Sequence, residues 1–433
     1  MRSTLVLLAA SLVSARFSHQ YIHDHQDIAR GALPNRWFHD DAHPVHQLFK
    51  RGPSTDGVEY AEVGSPTWST AFPNGTPDVE QLPAIWVKAL DDAVAAGKIP
   101  DTPIAKAHGS DNPTYPHGVD PTSPEVCSAT YQCKIPGDIW DGPDGTFSTS
   151  FDDGPLPPST KLNSFLKAND ERATHFMIGT NIRANPKIFT ETFEMGSDIA
   201  VHTYTHPHMT TQTNQQILGQ LGWTMEIIHN STGGRIPRYW RPPFGDYDVR
   251  VRAVAREVFG LEVVIWNQDT HDWTLTETEV EDATTSEKIS TSMHKWLTGP
   301  KSPGLIILEH ELTDESVQAF IDAYPAIKQN GWRMGSLATI ISDSAYQNAD
   351  TSGNVQPSVV GADVNTVNST WSTSLSSSST SSSSASTSSA SATNIVASSN
   401  SNKNGGLQGA SISFAFPVLA PLPVHIDCCI PEP

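Results

Sequence analysis

The sequence predicts an α/β fold over roughly residues 145–345. Strand-like and helix-like segments alternate there, and polar residues follow the ends of five strands. Strand–helix alternation is typical of parallel sheets whose faces are covered by helices. Because the carboxyl ends of parallel strands meet at one edge, we expect these polar residues to share one site. The pattern itself does not distinguish a barrel from an open sheet.

The expected elements follow one another in a regular order. The strands are short runs rich in β-branched and aromatic residues, at 146–151, 174–178, 198–202, 239–241, 262–266 and 305–308. The helices show apolar residues at helical spacing, at 159–168, 186–195, 214–229, 246–258, 286–297 and 315–329. Each expected strand is thus followed by an expected helix.

Charge and composition restrict the class of protein. The 433 residues include 47 acidic and 27 basic ones, a net charge of −20. This balance argues against nucleic acid or an anionic membrane surface as the main partner, because both need a basic protein face. Four cysteines are too few for a disulfide-dense scaffold. No apolar run reaches the ~18 residues that span a bilayer. We therefore expect an acidic protein that is soluble or tethered to a surface.

The N-terminus has the pattern of an export signal. A basic residue precedes a short apolar stretch, and small residues at 13–15 form a cleavage site. We assign residues 1–15 to a signal peptide. A histidine-rich stretch follows, interpreted as a solvated tail or as a metal-binding tract. It ends at the dibasic pair Lys50-Arg51, which makes 16–51 a candidate pro-segment before an N-terminal extension at 52–144.

The C-terminal part has a different composition. Residues 376–384 are all Ser or Thr, and such a stretch buries too little apolar surface to offset its ordering entropy. We expect a disordered, O-glycosylated Ser/Thr-rich stalk over 346–405. Small residues, a spacer and an apolar tail over 406–433 outline a GPI-anchor signal that is removed. Because three prolines interrupt the apolar stretch 412–424, free secretion is the alternative.

Other features agree with secretion to the cell wall or cell surface. Sequons at Asn74, Asn230 and Asn368 are candidate glycosylation sites. Cys127 and Cys133 can close a small loop as a disulfide in an oxidising compartment, and two free thiols are the alternative.

Two motifs contain candidate metal ligands. Asp152 and Asp153 end the first strand, where successive side chains diverge, so one can bind a metal while the other faces substrate. His202 and His206 can converge on one cation where the intervening turn is helical. Two imidazoles and one carboxylate suit zinc or a similar divalent ion. Solvated loops without a metal are the alternative for both motifs.

Three further motifs complete the candidate site. Arg241 precedes two prolines, which restrict it to an extended, rigid turn. In this position it can form a bidentate hydrogen-bonded pair with a carboxylate. Residues 266–273 combine acids with aromatics, a mixture typical of sugar-binding sites. His310 ends a buried strand, where a lone histidine is otherwise a satisfied core residue. The chain lacks the His-Glu-x-x-His motif of zinc peptidases, so a general base is expected elsewhere, at Asp152.

In this order, the five motifs resemble those of the polysaccharide deacetylase family (the NodB-homology domain, carbohydrate esterase family 4). The matching segments are TSFDDGP at 149–155, HTYTHP at 202–207, RPPFG at 241–245, DTHDW at 269–273 and LEH at 308–310. The resemblance covers residues 145–345. With the export signal, the stalk and the anchor signal, the chain is most similar to the fungal chitin deacetylases.

The resemblance implies a distorted (β/α) barrel of seven or eight strands and assigns a role to each motif. One divalent metal, zinc or cobalt, is implied at Asp153, His202 and His206. The general base is Asp152, oriented by Arg241, and the general acid is His310, oriented by Asp272, with Asp269 as the alternative partner. The residues implied in substrate binding are Phe244, Trp273, Leu308 and Tyr204.

The implied activity is metal-dependent hydrolysis of N-acetyl groups from the N-acetylglucosamine units of chitin, giving chitosan and acetate. The implied partners are chitin oligomers or another cell-wall polysaccharide, with no protein partner. An O-acetyl esterase acting on xylan, or a deacetylase of another acetylated polymer, is the alternative. A non-catalytic sugar-binding wall protein is disfavoured, because no base, acid or metal ligand is missing from the motifs.

Overall fold

The structure is a computed structural model that describes residues 53–108, 111–277, 283–342 and 344–361. The signal peptide, the pro-segment, the anchor signal, Asn368 and the stalk beyond residue 361 lie outside these residues. Among the described helices, none combines the length and the apolarity that a membrane crossing requires.

Strands and helices alternate along the described chain, which confirms the α/β class. The helices of the described ranges are α1 (Pro66–Thr70), α2 (Ala84–Ala95), α3 (Ser159–Ala168), α4 (Gly179–Ala184), α5 (Pro186–Glu194), α6 (Asn214–Ser231), α7 (Val249–Phe259), α8 (Ser286–Thr298), α9 (Asp314–Gln329) and α10 (Leu337–Ile341). The strands of the same ranges are β1 (Lys106–His108), β2 (Asp111–Thr114), β3 (Thr146–Ser148), β4 (Ser150–Asp152), β5 (Thr174–Met177), β6 (Asp198–Val201), β7 (Tyr239–Trp240), β8 (Glu262–Val263), β9 (Gln268–Asp269), β10 (Ile307–Leu308) and β11 (Arg333–Gly335).

The main sheet of the described part has the strand order β4-β5-β6-β7-β8. Phe151 lies beside His175, and His175 lies beside Ile199. Val201 lies beside Trp240 in the next pair. All of these pairings are parallel, so the carboxyl ends of the strands lie along one edge of the sheet.

Further parallel pairs lie next to this sheet. Strand β10 pairs with β9, and β11 pairs with β3. Isolated bridges join Asp152 to His310 and Phe147 to Leu305. Within the described residues the regular ladders form open sheets, so the closed barrel of seven or eight strands stays a prediction.

Both faces of the central strands are buried, which is typical of parallel sheets covered by helices. Met177, Val201 and Trp240 belong to the larger apolar cluster of the described residues. Their chain neighbours Phe176 and Tyr239 belong to a separate cluster on the other face. Since side chains alternate along a strand, the two faces are packed independently.

Several predicted boundaries agree with the structure and others do not. The predicted helix 159–168 coincides with α3. The predicted strand 146–151 is divided into β3, which pairs with β11, and β4, which pairs with β5. No element of the N-terminal extension is predicted, and within the α/β domain α4, β9, β11 and α10 are also absent from the prediction, since such short segments show little periodicity.

The N-terminal extension packs on the α/β domain through α2. The Trp86 ring of this helix meets those of Trp223 and Phe259 edge-on, with centroids 5.3 and 5.9 Å apart. Its indole N–H donates to the Val360 carbonyl (2.9 Å). Helix α2 therefore contacts both the helical layer and the C-terminal end of the described chain.

The folded part continues beyond the predicted domain end at residue 345. Tyr346, Val355 and Val360 are buried. Residues 346–361 therefore belong to the packed part rather than to the expected stalk, because their apolar side chains still cover the core. The Ser/Thr-rich composition that predicts a stalk begins after them.

Candidate active site

Five chain segments carry polar side chains to the carboxyl edge of the strands. Asp152 ends β4, His202 follows β6 and Arg241 follows β7. Asp272 begins a 3-10 turn after β9, and His310 lies just beyond β10. The structure thus brings the five sequence motifs together.

Asp153, His202 and His206 form a compact group of candidate metal ligands. Asp153 Oδ1 lies 3.3 Å from His202 Nε2 and 3.2 Å from His206 Nε2. Ligands at tetrahedral zinc distances of about 2.0–2.2 Å lie roughly 3.3 Å apart, so the spacing suits one ion. Among the described residues, this is the one such group of His, Cys, Asp or Glu side chains.

The polar surroundings of these side chains also fit a cation. Asp153 Oδ1 is buried and has no hydrogen-bond partner among the described residues, a costly state for a carboxylate oxygen unless a cation compensates it. His202 Nδ1–H donates to the Arg241 carbonyl (2.7 Å), which leaves the Nε2 lone pair directed at the group. Burial would raise the pKa of Asp153, but the imidazoles of His206 and His202 hold that pKa well below its usual range.

The turns that carry these ligands have an unusual backbone. Asp153, Thr203 and His206 have φ values of 73°, 63° and 58°, in the left-handed region that non-glycine residues rarely adopt. Asn181 donates to the Asp153 carbonyl (2.8 Å), and the His206 N–H donates to Thr203 Oγ1 (3.0 Å). These hydrogen bonds stabilise the strained turns.

Asp152 is held by a buried arginine. Arg241 Nη1 donates to Asp152 Oδ1 (2.7 Å), and its Nη2 donates to Ser150 Oγ (3.0 Å). The guanidinium is buried 4.2 Å from the centroid of the Phe176 ring. Burial lowers the pKa of Arg241, and the charge of Asp152 opposes that effect. Asp152 Oδ2 lies 4.0 Å from His202 Nε2 and therefore faces the metal-ligand group.

His310 is paired with Asp272. Its Nδ1 lies 2.6 Å from Asp272 Oδ1, and its backbone N–H donates to Asp272 Oδ2 (2.8 Å). Burial would lower the pKa of His310, but the charge and hydrogen bond of Asp272 outweigh it and raise the pKa to about 10. Asp269 instead accepts from the His271 N–H (2.7 Å). The structure thus selects Asp272 as the partner of His310.

A cleft of about 270 Å³ opens on these residues. Asp152, His310 and the metal-ligand group line it, together with Phe244, Trp273 and Leu308. The last three are residues that the resemblance assigns to substrate binding. Aromatic and aliphatic walls around a few polar groups are typical of small-molecule sites.

Tyr204 does not reach the cleft. Its side chain is fully buried, and its hydroxyl donates to the Pro73 carbonyl (2.6 Å). Its ring lies so close to Gly179 that a Cβ there would come within 2.2 Å of it. The assignment of Tyr204 to substrate binding is therefore wrong, because the turn between the two histidines directs this side chain into the core.

Several residues that line the cleft have no role in the sequence-based prediction. They are Asn112, Trp266, His271, Glu277 and Leu312. Trp266 and His271 belong to the stretch 266–273 that combines acids with aromatics, so a signal was present. Asn112 comes from β2 in the N-terminal extension, where no local pattern indicated the site.

The described sequons and cysteines have distinct environments. Asn74 is exposed, and its Oδ1 accepts from Arg183 (2.6 Å). Asn230 lies near the end of α6, half-buried. Cys127 and Cys133 are joined by a disulfide with a Cα–Cα distance of 5.0 Å.

Comparison with known proteins identifies the family. A model described as polysaccharide deacetylase matches residues 141–264. Chitin deacetylase 3 of Cryptococcus neoformans is 37% identical over 326 residues, which cover 74% of this chain and 76% of that protein. The chain belongs to the polysaccharide deacetylase family. The polysaccharide deacetylase match includes Asp152, the metal-ligand group and Arg241, and it ends before Asp272 and His310.

Other similar proteins carry related names. Chitin deacetylase 1 of Saccharomyces cerevisiae is 35% identical over 233 residues, which cover 54% of this chain and 72% of that protein. The solved chitin deacetylase from Colletotrichum lindemuthianum is 23% identical, covers 49% of this chain and 96% of its own, and has a TM-score of 0.43. The family 4 carbohydrate esterase from Streptomyces lividans, in complex with acetate, is 27% identical with a TM-score of 0.39, covering 49% and 98%.

Proposed function

We propose that this polysaccharide deacetylase is a metal-dependent chitin deacetylase. It hydrolyses the N-acetyl groups of N-acetylglucosamine units in chitin and gives chitosan and acetate. The observation that carries the proposal is that one cleft is lined by a candidate metal-ligand group, by Asp152 with its Oδ2 facing that group, and by His310 paired with Asp272. The two curated relatives named chitin deacetylase support chitin as the substrate.

The metal is assigned to Asp153, His202 and His206, with zinc or cobalt as the ion. Two imidazoles and one carboxylate suit zinc and neighbouring divalent metals, and three protein ligands leave a coordination position open. The chemistry that a divalent ion supplies at such a position is Lewis-acid activation of water near neutral pH.

Asp152 acts as the general base. Arg241 fixes its Oδ1, while its Oδ2 faces the metal-ligand group. Oδ2 accepts a proton from the attacking water as the water oxygen adds to the acetyl carbonyl carbon. Arg241 is buried and makes four hydrogen bonds to neighbouring oxygens, one of them to Asp152 Oδ1, so its rigid position fixes the orientation of the carboxylate.

His310 acts as the general acid. An amine is a poor leaving group unless its nitrogen is protonated, so a proton must arrive as the carbon–nitrogen bond breaks. Asp272 holds Nδ1, and the raised pKa of His310 keeps a proton on Nε2 at neutral pH. Transfer of that proton to the nitrogen releases the free amine and leaves acetate.

The acetyl group is expected to bind against Phe244, Trp273 and Leu308. These side chains line the cleft beside the metal-ligand group and His310. Their apolar surfaces suit a methyl group, and the backbone N–H of Phe244 is the donor that we assign to the carbonyl oxygen as its charge develops.

Acetate release from defined substrates tests this function. We expect hydrolysis of N-acetylglucosamine oligomers that is lost on chelation and restored by zinc or cobalt. Activity on acetylated xylan alone would make the protein an O-acetyl esterase, and activity on a different acetylated polymer would change the substrate. Absence of hydrolysis on all of them would leave a sugar-binding wall protein.

We also propose secretion to the cell wall or cell surface. The disulfide between Cys127 and Cys133 supports passage through an oxidising compartment, and of the two sequons within the described residues Asn74 is the more exposed and thus the better placed for a glycan. N-terminal sequencing of the secreted protein tests cleavage after residue 15 or 51. Release from cells by a phosphatidylinositol-specific phospholipase distinguishes a GPI anchor from free secretion.

The strands are proposed to complete a distorted barrel. The bridge between Asp152 and His310 joins β4 to β10, which pairs with β9. Strand β9 continues the chain shortly after β8, the last strand of the main sheet. A pairing between β8 and β9 would therefore close the barrel.

A further inference from the structure

The disulfide-closed segment 127–133 of the N-terminal extension contacts the loop that follows Arg241. The Ala129 N–H donates to the Tyr247 carbonyl (2.9 Å). Thr130 Oγ1 donates to Asp246 Oδ1 (2.8 Å). Both donors lie outside the residues that match the polysaccharide deacetylase model, whereas both acceptors lie inside them.

Asp246 joins this loop to the turn that follows the metal-binding histidines. Its side chain is buried, with 1% exposure, so its charge needs donors from the protein. Asp246 Oδ2 accepts from the Thr210 N–H (2.9 Å), and Thr210 Oγ1 lies within hydrogen-bond distance of Oδ2 (2.9 Å) and of Oδ1 (3.0 Å). Thr210 lies in the 3-10 turn Met209–Thr211. The hydroxyl of Thr130 completes this set from the extension.

Phe244 connects the same loop to the metal-ligand group. Its ring stacks on His208, with centroids 4.1 Å apart, and meets His206 edge-on at 4.6 Å. Its backbone has a φ of 59°, in the left-handed region. Such a conformation persists when surrounding contacts hold it, and Asp246 is two residues away.

We propose that Thr130 and Asp246 are positioning residues for the metal site. Thr130 of the disulfide-closed segment hydrogen-bonds to Asp246. Asp246 in turn fixes the turn Met209–Thr211, which follows His206, and the loop that places Phe244 in the cleft. The N-terminal extension thereby helps to position the residues of the site, in addition to packing on the core. This inference rests on the proposed function, because it assigns these residues to the metal and substrate of that site.

Thr130→Val is the decisive variant, since it removes the hydroxyl and keeps the shape. We expect the dissociation constant for zinc, measured by calorimetric titration of the metal-free protein, to rise roughly tenfold. We expect kcat on chitin oligomers to fall by a similar factor with little change in KM. Thr130→Ser keeps the hydroxyl and is expected to restore both values.

Tyr115→Phe is the matched control. It removes another hydrogen bond between the extension and this loop, from the Tyr115 hydroxyl to Asp248 Oδ2 (2.9 Å), without touching Asp246. We expect a lower Tm with unchanged zinc affinity and kcat. If Thr130→Val behaves in the same way, the segment only stabilises the fold and the proposal is wrong.

Two further outcomes keep the test decisive. Should Thr130→Val not fold, Thr130→Ala removes the same hydroxyl and is judged by the same two measurements. A wild-type protein that binds neither zinc nor cobalt, or releases no acetate, contradicts the proposed function itself. A wild-type protein that does both, with unchanged zinc affinity and kcat in the Thr130 variants, contradicts only the positioning role.

Discussion

Arg241 and Asp152 form a buried ion pair at the centre of the site, 2.7 Å apart. Removing one member of such a pair leaves the other charge uncompensated, at a cost of about 3–5 kcal/mol. Single-residue tests therefore need substitutions that keep the hydrogen bonds while changing the chemistry. An amide in place of a carboxylate keeps the hydrogen-bond acceptor but not the negative charge, so a lower stability is expected together with the change in chemistry.

Asp152→Asn tests the general base. The amide oxygen can still accept from Arg241, but the side chain no longer takes a proton from water. We expect turnover to fall by roughly 10²–10⁴-fold, while bound metal stays near one equivalent. Acetate release and metal analysis measure the two effects. In the companion variant Asp153→Asn, bound metal is expected to be lost. Loss of metal from Asp152→Asn instead would contradict the assignment of roles.

Asp272→Asn tests the control of His310. The folded-state pKa of His310 is raised from 6.5 to about 10, so its pairing with Asp272 stabilises the fold fully below about pH 6.5. This contribution is lost as pH rises through about 10. The variant is expected to lower the pKa, which NMR titration of the metal-free protein measures. The alkaline limb of kcat/KM should move to lower pH; an unmoved limb would exclude His310 as the acid.

At the scale of elements, α6 supports the turn between the two metal-binding histidines. Gln220 on this helix accepts from the N–H groups of Tyr204 and Thr205 (2.9 Å each) and donates to Thr205 Oγ1 (2.7 Å). The helix itself begins at a capping box formed by Thr213 and Gln216. A buried side chain from a neighbouring helix thus satisfies backbone groups that the turn cannot satisfy internally.

Gln220→Leu tests this support. The substitution leaves two amide N–H groups of the turn without an acceptor, at a cost of about 1–3 kcal/mol in unfolding free energy. We expect denaturant unfolding to show that loss and zinc titration to show weaker binding. Gln216→Ala is the control, because it weakens the cap of the same helix at an exposed position. Equal zinc affinity in both variants would show that the turn does not depend on α6.

At the scale of the whole molecule, segments from both ends of the described chain cover the α/β domain. Trp86 packs between the helical layer and the C-terminal segment, and Val360 supplies both an apolar side chain and a carbonyl acceptor. The functional unit is therefore larger than the 141–264 match to the family model. The net charge of −20 is a property of the whole chain and does not indicate how these terminal segments pack on the α/β domain.

Truncation tests the extent of the folded unit. A chain that ends after residue 345 loses Val355, Val360 and the acceptor for Trp86, and burial of each valine contributes about 1.5–3 kcal/mol. We expect a clearly lower Tm than for a chain that ends after residue 361, which should match the full-length protein. Equal Tm values for the two truncations would show that the stalk begins at 346.

The sequence by itself determined the α/β class, the position of helix 159–168 and the five motifs. These features depend on local periodicity and on a general property of parallel sheets, the meeting of strand ends at one edge. Short elements such as α4 and β11 were missed, because segments of three to six residues have too little periodicity to be recognised.

Only the tertiary structure decided which side chains meet. It pairs His310 with Asp272 rather than Asp269, and it directs Tyr204 into the core. It also brings Asn112 to the cleft and Thr130 to Asp246, from a segment with no motif. The physical reason is that these contacts join residues far apart in the chain, and the direction of a side chain in a turn depends on the packing around it.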